Sequence, residues 1–253
     1  MNELSIPQFN LTSGQKAALS SAVQSCVTYP IDTALKQKQA GKTIKHILTY
    51  SGFSASLINY PLSRYIGFEV ISKFEANPRT KNMATIYGSV LSGIIKPIII
   101  YPLDIIKIQF QTRSAKTYHD VSVNIKKIPL PKHKLAIYFL QMRSITGYLS
   151  WFQSQKLYKT HISNEQTLTH NTASGALSAL TVAITIQPFE VGKINNQIGN
   201  FSSLTSLLKQ HGIGRFYSYS YFGITLARNL INGIIFNNCF ELLNKQSSKK
   251  DHN

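Results

Sequence analysis

Three acidic residues stand two positions after a proline in matching surroundings: Asp32 in Tyr29-Pro30-Ile31-Asp32, Asp104 in Tyr101-Pro102-Leu103-Asp104, and Glu190 in Gln187-Pro188-Phe189-Glu190. Five after the proline comes a lysine in the second and third copies, Lys107 and Lys193; nine after it comes a glutamine in all three, Gln39, Gln111 and Gln197. Offsets of +2, +5 and +9 are i, i+3 and i+7, which share one face of a helix. The chemistry of such a stripe is ion pairing. A static surface pair would be worth only ~0–1 kcal/mol, and it has no reason to recur three times beside a proline. The first copy departs from the pattern: Leu35 stands five after Pro30, and Lys36 lies one residue on, about 100° around the helix.

A second set of charges sits inside apolar surroundings. Lys96 interrupts the run Ile94 to Leu103, Arg228 interrupts Ile224 to Ile235, Arg143 stands where a fourth long helix should open, and Arg64 lies in a second. An ionisable group within a membrane span costs roughly 2.5–3.5 kcal/mol and marks a functional site unless it snorkels to the interface. No acid is expected in the central third of any span to neutralise these cations. An uncompensated set favours a cargo with several negative charges, and guanidinium forks suit phosphate oxygens. Tyr148 and Trp151 follow Arg143 closely and offer a stacking face, or else simple core packing.

The elements that must hold these groups follow from the same repeat. Small residues stand thirteen and nine before each proline: Ala17 and Ser21, Ser89 and Gly93, Gly175 and Ala179. This i, i+4 spacing lets two helices approach closely in a bilayer. Proline inside a helix removes a hydrogen bond and kinks the axis, which membrane helices tolerate. Each unit therefore reads as a long kinked helix, packed closely before the kink and ionic beyond it, followed by a second span. Mean hydropathy is −0.06, low for a membrane protein but suited to helices lining a watery pathway. The net charge of +17 concentrates after helix ends: Lys36, Lys38, Lys42 and Lys45 after the first kinked helix, and a basic loop from Arg113 to Lys134 after the second. Both loops fall on one side of the membrane, as the positive-inside rule requires. Met1 to Gly14 does not read as a cleavable signal. Cys26 and Cys239 are expected to be reduced, packed thiols. Six of the seven histidines (His46, His119, His133, His161, His170, His211) are scattered without ligand spacing, no Gly-rich phosphate loop is present, and nothing suggests an enzyme or a cofactor.

The three phased copies resemble the mitochondrial carrier family, whose signature P-x-[DE]-x-x-[KR] closes each odd-numbered helix of three tandem repeats. Tyr50-Ser51-Gly52 resembles the aromatic-x-glycine opening of a second helix. Phe68-Glu69 and Phe240-Glu241 resemble the aromatic-acid closings of even helices. The resemblance implies an all-α membrane protein: a single domain over 1–253, with repeats at about 12–78, 83–160 and 167–246. Six transmembrane helices would surround a central pathway with pseudo-threefold symmetry. It implies a matrix-side gate in which Asp32 meets Lys107, Asp104 meets Lys193, and Glu190 meets the first repeat's lysine position. That position is Leu35, so either Lys36 swings back or the gate runs on two pairs, with Gln39, Gln111 and Gln197 as hydrogen-bonding braces. A cytoplasmic-side gate would use Glu69 and Glu241 with Lys73, Lys159 and Lys245. It is weaker, because Gln155-Lys156 replaces the aromatic-acid pair.

Arg143 and Arg228 stand at the family's cargo-contact offsets, followed by Ser144. The second-helix contact is Ser56 counted from Phe68, or Asn59 counted from Tyr50. With Lys96, Arg64, Tyr148 and Trp151, these residues predict a small anionic solute, best a nucleotide or deoxynucleotide, exchanged by alternating access. Segments typical of ADP/ATP exchangers are absent: Lys193-Ile194-Asn195-Asn196-Gln197 stands where arginines and methionines would run. The expected setting is the mitochondrial inner membrane, multi-pass, monomeric, with cardiolipin as lipid partner and no nucleic acid. Alternatives are a carrier of phosphate or a dicarboxylate, a transport-inactive membrane scaffold, or a basic protein that binds a membrane surface or nucleic acid, for which +17 would be the footprint.

Overall fold

The computed structural model describes residues 11–40, 42–43, 52–162, 165, 167–198, 209, 212 and 219–248. Among these the chain is all-helical: α1 (Ser13–Gln39), α2 (Phe53–Ala76), α3 (Ala84–Gln111), α4 (Tyr118–Lys127), α5 (Leu130–His161), α6 (Leu168–Gln197) and α7 (Tyr219–Ser248). A 3-10 turn, Lys81–Met83, leads into α3. Tyr50, Ser51, Lys45, His46 and His211 lie outside the described residues.

Local signals set several boundaries. Thr12 caps α1 by accepting from the Gln15 backbone at 3.2 Å, while the Gln15 side chain accepts from Thr12 N at 2.9 Å, a reciprocal arrangement that satisfies two otherwise orphan donors. Gly52, just before α2, has φ 78°. A side chain there would meet Phe110 Cβ at 2.8 Å, so the tight entry into α2 requires glycine. Pro30, Pro102 and Pro188 lie inside α1, α3 and α6, and each helix runs on through its proline.

Six long helices close a ring in the order α1, α2, α3, α5, α6, α7 and back to α1. Neighbours run antiparallel. Thr12 at the start of α1 hydrogen-bonds Glu69 near the end of α2, Tyr101 late in α3 meets His133 early in α5, and Tyr158 late in α5 meets His170 early in α6. The small residues sit where the helices touch. A Cβ on Gly175 of α6 would lie 2.8 Å from the Gly233 carbonyl of α7, and one on Gly93 of α3 would lie 2.2 Å from Ile145 of α5.

The distribution of polarity is inverted. Leu19, Val23 and Val27 of α1 face outward, as do Ile94, Ile95, Ile98 and Ile99 of α3 and Leu177, Leu180 and Ile184 of α6. The inward face of α1 carries Ser20, Ser21, Gln24, Ser25, Thr28 and Asp32, and across the described residues buried polar side chains outnumber buried apolar ones. This face lowers the mean hydropathy of most helices. By length and composition only α3 with its leading turn (Lys81–Gln111) and α6 (Leu168–Gln197) qualify as membrane-crossing among the described residues.

Three expectations change. The stretch Arg113 to Lys134 is not all loop, since it contains α4, whose first turn is set by a capping box between Thr117 and Asp120. Asp120 is held below the usual carboxylate range by the backbone N–H groups of Thr117 and Lys116. Arg143 does not open a helix: α5 starts at Leu130, behind Pro129, so Arg143 stands well inside it. Cys26 is exposed rather than packed, because it shares the outward face of α1 with Val23 and Val27.

Candidate functional site: an ionic ring beneath a cationic cavity

The three proline motifs bring their charges together on the axis of the bundle, where α1, α3 and α6 converge. Lys107 Nζ lies 2.7 Å from Asp32, and Lys193 Nζ lies 3.2 Å from Asp104. Lys36 pairs with Glu190. The ring therefore closes with three interrepeat pairs, and Glu190 does not face Leu35. Counted from the proline, Lys36 stands at the offset of Ile108 and Ile194, whereas Leu35 stands at the offset of Lys107 and Lys193. The first repeat has exchanged these two positions, yet both side chains are fully buried, and the flexible lysine stem reaches the same place.

Each pair carries its glutamine. Gln111 Nε2 donates to Asp32 at 3.0 Å, Gln197 Nε2 donates to Asp104 at 2.8 Å, and Gln39 Oε1 accepts from Lys36 at 3.3 Å. Tyr60, absent from the sequence reading, donates to Asp32 at 3.1 Å and lies with its ring 3.9 Å from the Lys107 ammonium. Just beyond the ring Ala40, Ile108 and Ile194 form an apolar cluster across the axis. Buried charges persist only when paired and hydrogen-bonded; each ring carboxylate has a cationic partner, and Asp32 and Asp104 also accept from Gln111 and Gln197.

Above the ring lies a cavity of about 110 Å³, walled by all six long helices. Seven cations line it: Lys36, Arg64, Lys96, Lys107, Arg143, Lys193 and Arg228. Against them stand the three ring carboxylates. The expectation that no acid neutralises the mid-helix arginines fails. Arg143 pairs with Glu190, and Arg228 Nη1 donates to Asp32 at 2.9 Å, because antiparallel packing sets the middles of α5 and α7 level with the acids of α6 and α1. The other two cations lie on aromatic faces. The Lys96 ammonium is 4.4 Å from the Tyr148 ring centroid, and the Arg64 guanidinium is 4.7 Å from Phe236 and 5.8 Å from Trp151. No carboxylate among the described residues pairs with either one.

On α2, Asn59 lines the cavity and Ser56 is buried outside its wall. Asn59 Nδ2, Ser144 Oγ, Asn229 Nδ2 and Asn232 Oδ1 have no protein hydrogen-bond partner among the described residues, and all four residues line the same space.

The far end of the cavity is aromatic. Phe68 of α2 contacts Phe152 of α5 at 5.3 Å and Phe240 and Phe236 of α7 at 5.2 and 5.5 Å between ring centroids. Tyr148 and Trp151 belong to the same cluster. Among the described residues, three of the charges assigned to a second gate, Glu69, Lys73 and Lys159, are not joined to one another by ion pairs. Glu69 accepts from Thr12, Lys73 and Lys159 are exposed, and no salt bridge joins those lysines to Glu69 or Glu241; Lys245 is exposed as well. Besides Tyr148 and Trp151, α5 contributes Phe152, three residues before Gln155, which carries no expectation from the sequence. In comparison with known proteins, no family model matches the chain and no curated protein matches it significantly.

Proposed function

We propose that the chain is a membrane carrier that exchanges a small polyanion, a nucleotide or deoxynucleotide best, between two compartments by alternating access. The observation that carries this reading is the cationic cavity. Seven cations line it against two lining carboxylates, Asp104 and Glu190, and two of those cations, Lys96 and Arg64, lie on aromatic rings with no carboxylate partner among the described residues. Supporting it are the outward apolar face, the inward polar one, and a ring of six antiparallel helices whose path is closed by ion pairs at one end and by aromatic rings at the other. An aromatic face beside cations suits a base and its phosphates. In this reading the six long helices span the mitochondrial inner membrane, consistent with the sequence resemblance, and α4 lies outside it.

The test is homo-exchange by the purified protein in liposomes, across nucleoside di- and triphosphates, monophosphates, inorganic phosphate, dicarboxylates, amino acids and neutral nucleosides. Di- and triphosphates should exchange best, monophosphates less, and nucleosides not at all. A neutral or zwitterionic best substrate would refute the polyanion assignment.

A further inference from the structure

We infer that a second closure lies beneath the ionic ring: three side chains donate to the carbonyls that end α1, α3 and α6, and these hydrogen bonds tie the helix ends together in series with the ion pairs. The closure needs no cargo, so it stands apart from the anion assignment; its use as a gate, which requires that this end opens, rests on the carrier reading.

The three links cross the same three seams as the ion pairs. Lys42 Nζ, just past α1, donates to the Thr112 carbonyl at 2.7 Å. Gln109 Nε2 of α3 donates to the Gln197 carbonyl at 3.0 Å, and Asn195 Nδ2 of α6 donates to the Gln39 carbonyl at 3.2 Å. Gln39 and Gln197 are the last residues of α1 and α6, and Thr112 follows the last residue of α3. The final carbonyls of a helix have no N–H within it to accept from, and they carry the negative end of its dipole. The donors are patterned too. Gln109 and Asn195 each stand seven after their proline, and Gln37 holds that offset in the first repeat; all three are buried. That offset lies about 140° around the helix from the acid, so these amides are not part of the ionic stripe and need a reason of their own.

The link between α3 and α6 has support from α4. Asn124 Nδ2 donates to Gln109 Oε1 at 3.4 Å and to the Ser114 carbonyl at 2.7 Å, so the amide that reaches Gln197 is held from both sides. Lys42 also donates to Ser114 Oγ at 3.2 Å, which ties the first link to the same turn. The apolar cluster of Ala40, Ile108 and Ile194 lies among the links. Hydrogen bonds are stronger where water is kept out, and the Gln109 and Asn195 links are buried.

A reporter cysteine in the purified full-length protein tests this: Ala40→Cys, with Cys26→Ala and Cys239→Ala, reacting with a water-soluble maleimide in the absence of cargo. Ala40 is buried against Ile108 and Ile194, so its labelling rate reads how often this end opens. Gln109→Leu and Asn195→Leu should each raise that rate roughly fivefold, the equivalent of one hydrogen bond, and the two factors should multiply. The gain from Gln109→Leu should persist in an Asp104→Asn background, where one ion pair is already gone. A matching reporter at the aromatic end, Ala17→Cys, buried beside Phe68, should not react faster. Three results would overturn the proposal: an unchanged Ala40→Cys rate, loss of the Gln109→Leu effect in the Asp104→Asn background, or equal acceleration at Ala17→Cys, the mark of general loosening. Should the buried variants not purify, Lys42→Met, at an exposed position, must give the same selective rise. ATP exchange by a protein that fails these tests removes the second closure alone. Selective labelling in a protein that exchanges no anion removes the carrier reading and leaves the closure standing.

Discussion

Neutralising Glu190 should damage the resting protein more than neutralising Asp104, the reverse of the order that sequence offsets suggest. Glu190 pairs with Lys36 and Arg143 and lies 3.7 Å from Lys193. Among the described residues, Glu190→Gln leaves Arg143 with no paired carboxylate and leaves Lys36 with only Asp32, at 3.9 Å. Asp104→Asn strands no cation, because Lys193 keeps Glu190, and Gln197 can still donate to the new amide oxygen. Breaking a buried pair by removing one partner costs about 3–5 kcal/mol. With Arg143 partly exposed, the low end applies: about 3 kcal/mol for Glu190→Gln against about 1 kcal/mol for Asp104→Asn. At about 2–4 °C per kcal/mol for a chain of this size, Tm should fall by about 6–12 °C in the first case and about 2–4 °C in the second. Thermal unfolding of the two variants in detergent without ligand decides it. A larger loss for Asp104→Asn would show that Arg143 and Lys36 do not depend on Glu190.

Three further outcomes follow from the geometry. Leu35→Lys, which the repeat pattern favours as completing a third pair, should destabilise, because Lys36 already fills that place and position 35 is fully buried; a higher Tm would show the pair is incomplete. Tyr60→Phe removes one hydrogen bond to Asp32 but keeps the ring beside Lys107, so a loss of about 1 kcal/mol is expected in denaturant unfolding, and no loss would mean the hydroxyl is idle. Gly175→Val drives a side chain into the Gly233 carbonyl and should cost about 1–3 kcal/mol, read as a lower Tm; a neutral result would mean that α6 and α7 are free to separate.

The fold was largely legible because three proline-anchored stripes repeat every offset that matters. Once Asp32, Asp104 and Glu190 are read as one feature, their meeting on an axis follows, and so do the small residues Gly93 and Gly175 at helix contacts. What escaped was set by side-chain reach and by depth along neighbouring helices, neither of which is written in spacing. Lys36 recovers a pairing that its register denies it, because a four-carbon stem spans the offset. Arg143 and Arg228 lie far in sequence from Glu190 and Asp32, and only the antiparallel ring sets them level. Tyr60 carried no signal beyond being aromatic. Phe152 carried a faint one, as a phenylalanine of α5 near the closings Phe68 and Phe240, but no acid follows it as Glu69 and Glu241 follow those two.

The central claim is that the cationic cavity carries the anion across the membrane. Uptake of labelled ATP into ATP-loaded liposomes, measured side by side for the wild type and for Lys96→Ala/Arg64→Ala, tests it most directly. Neither residue belongs to the ring, so the double variant should retain its thermal unfolding profile and lose nearly all uptake, while the wild type exchanges. Equal uptake by both proteins, or none by the well-folded wild type with any anion, would contradict the account.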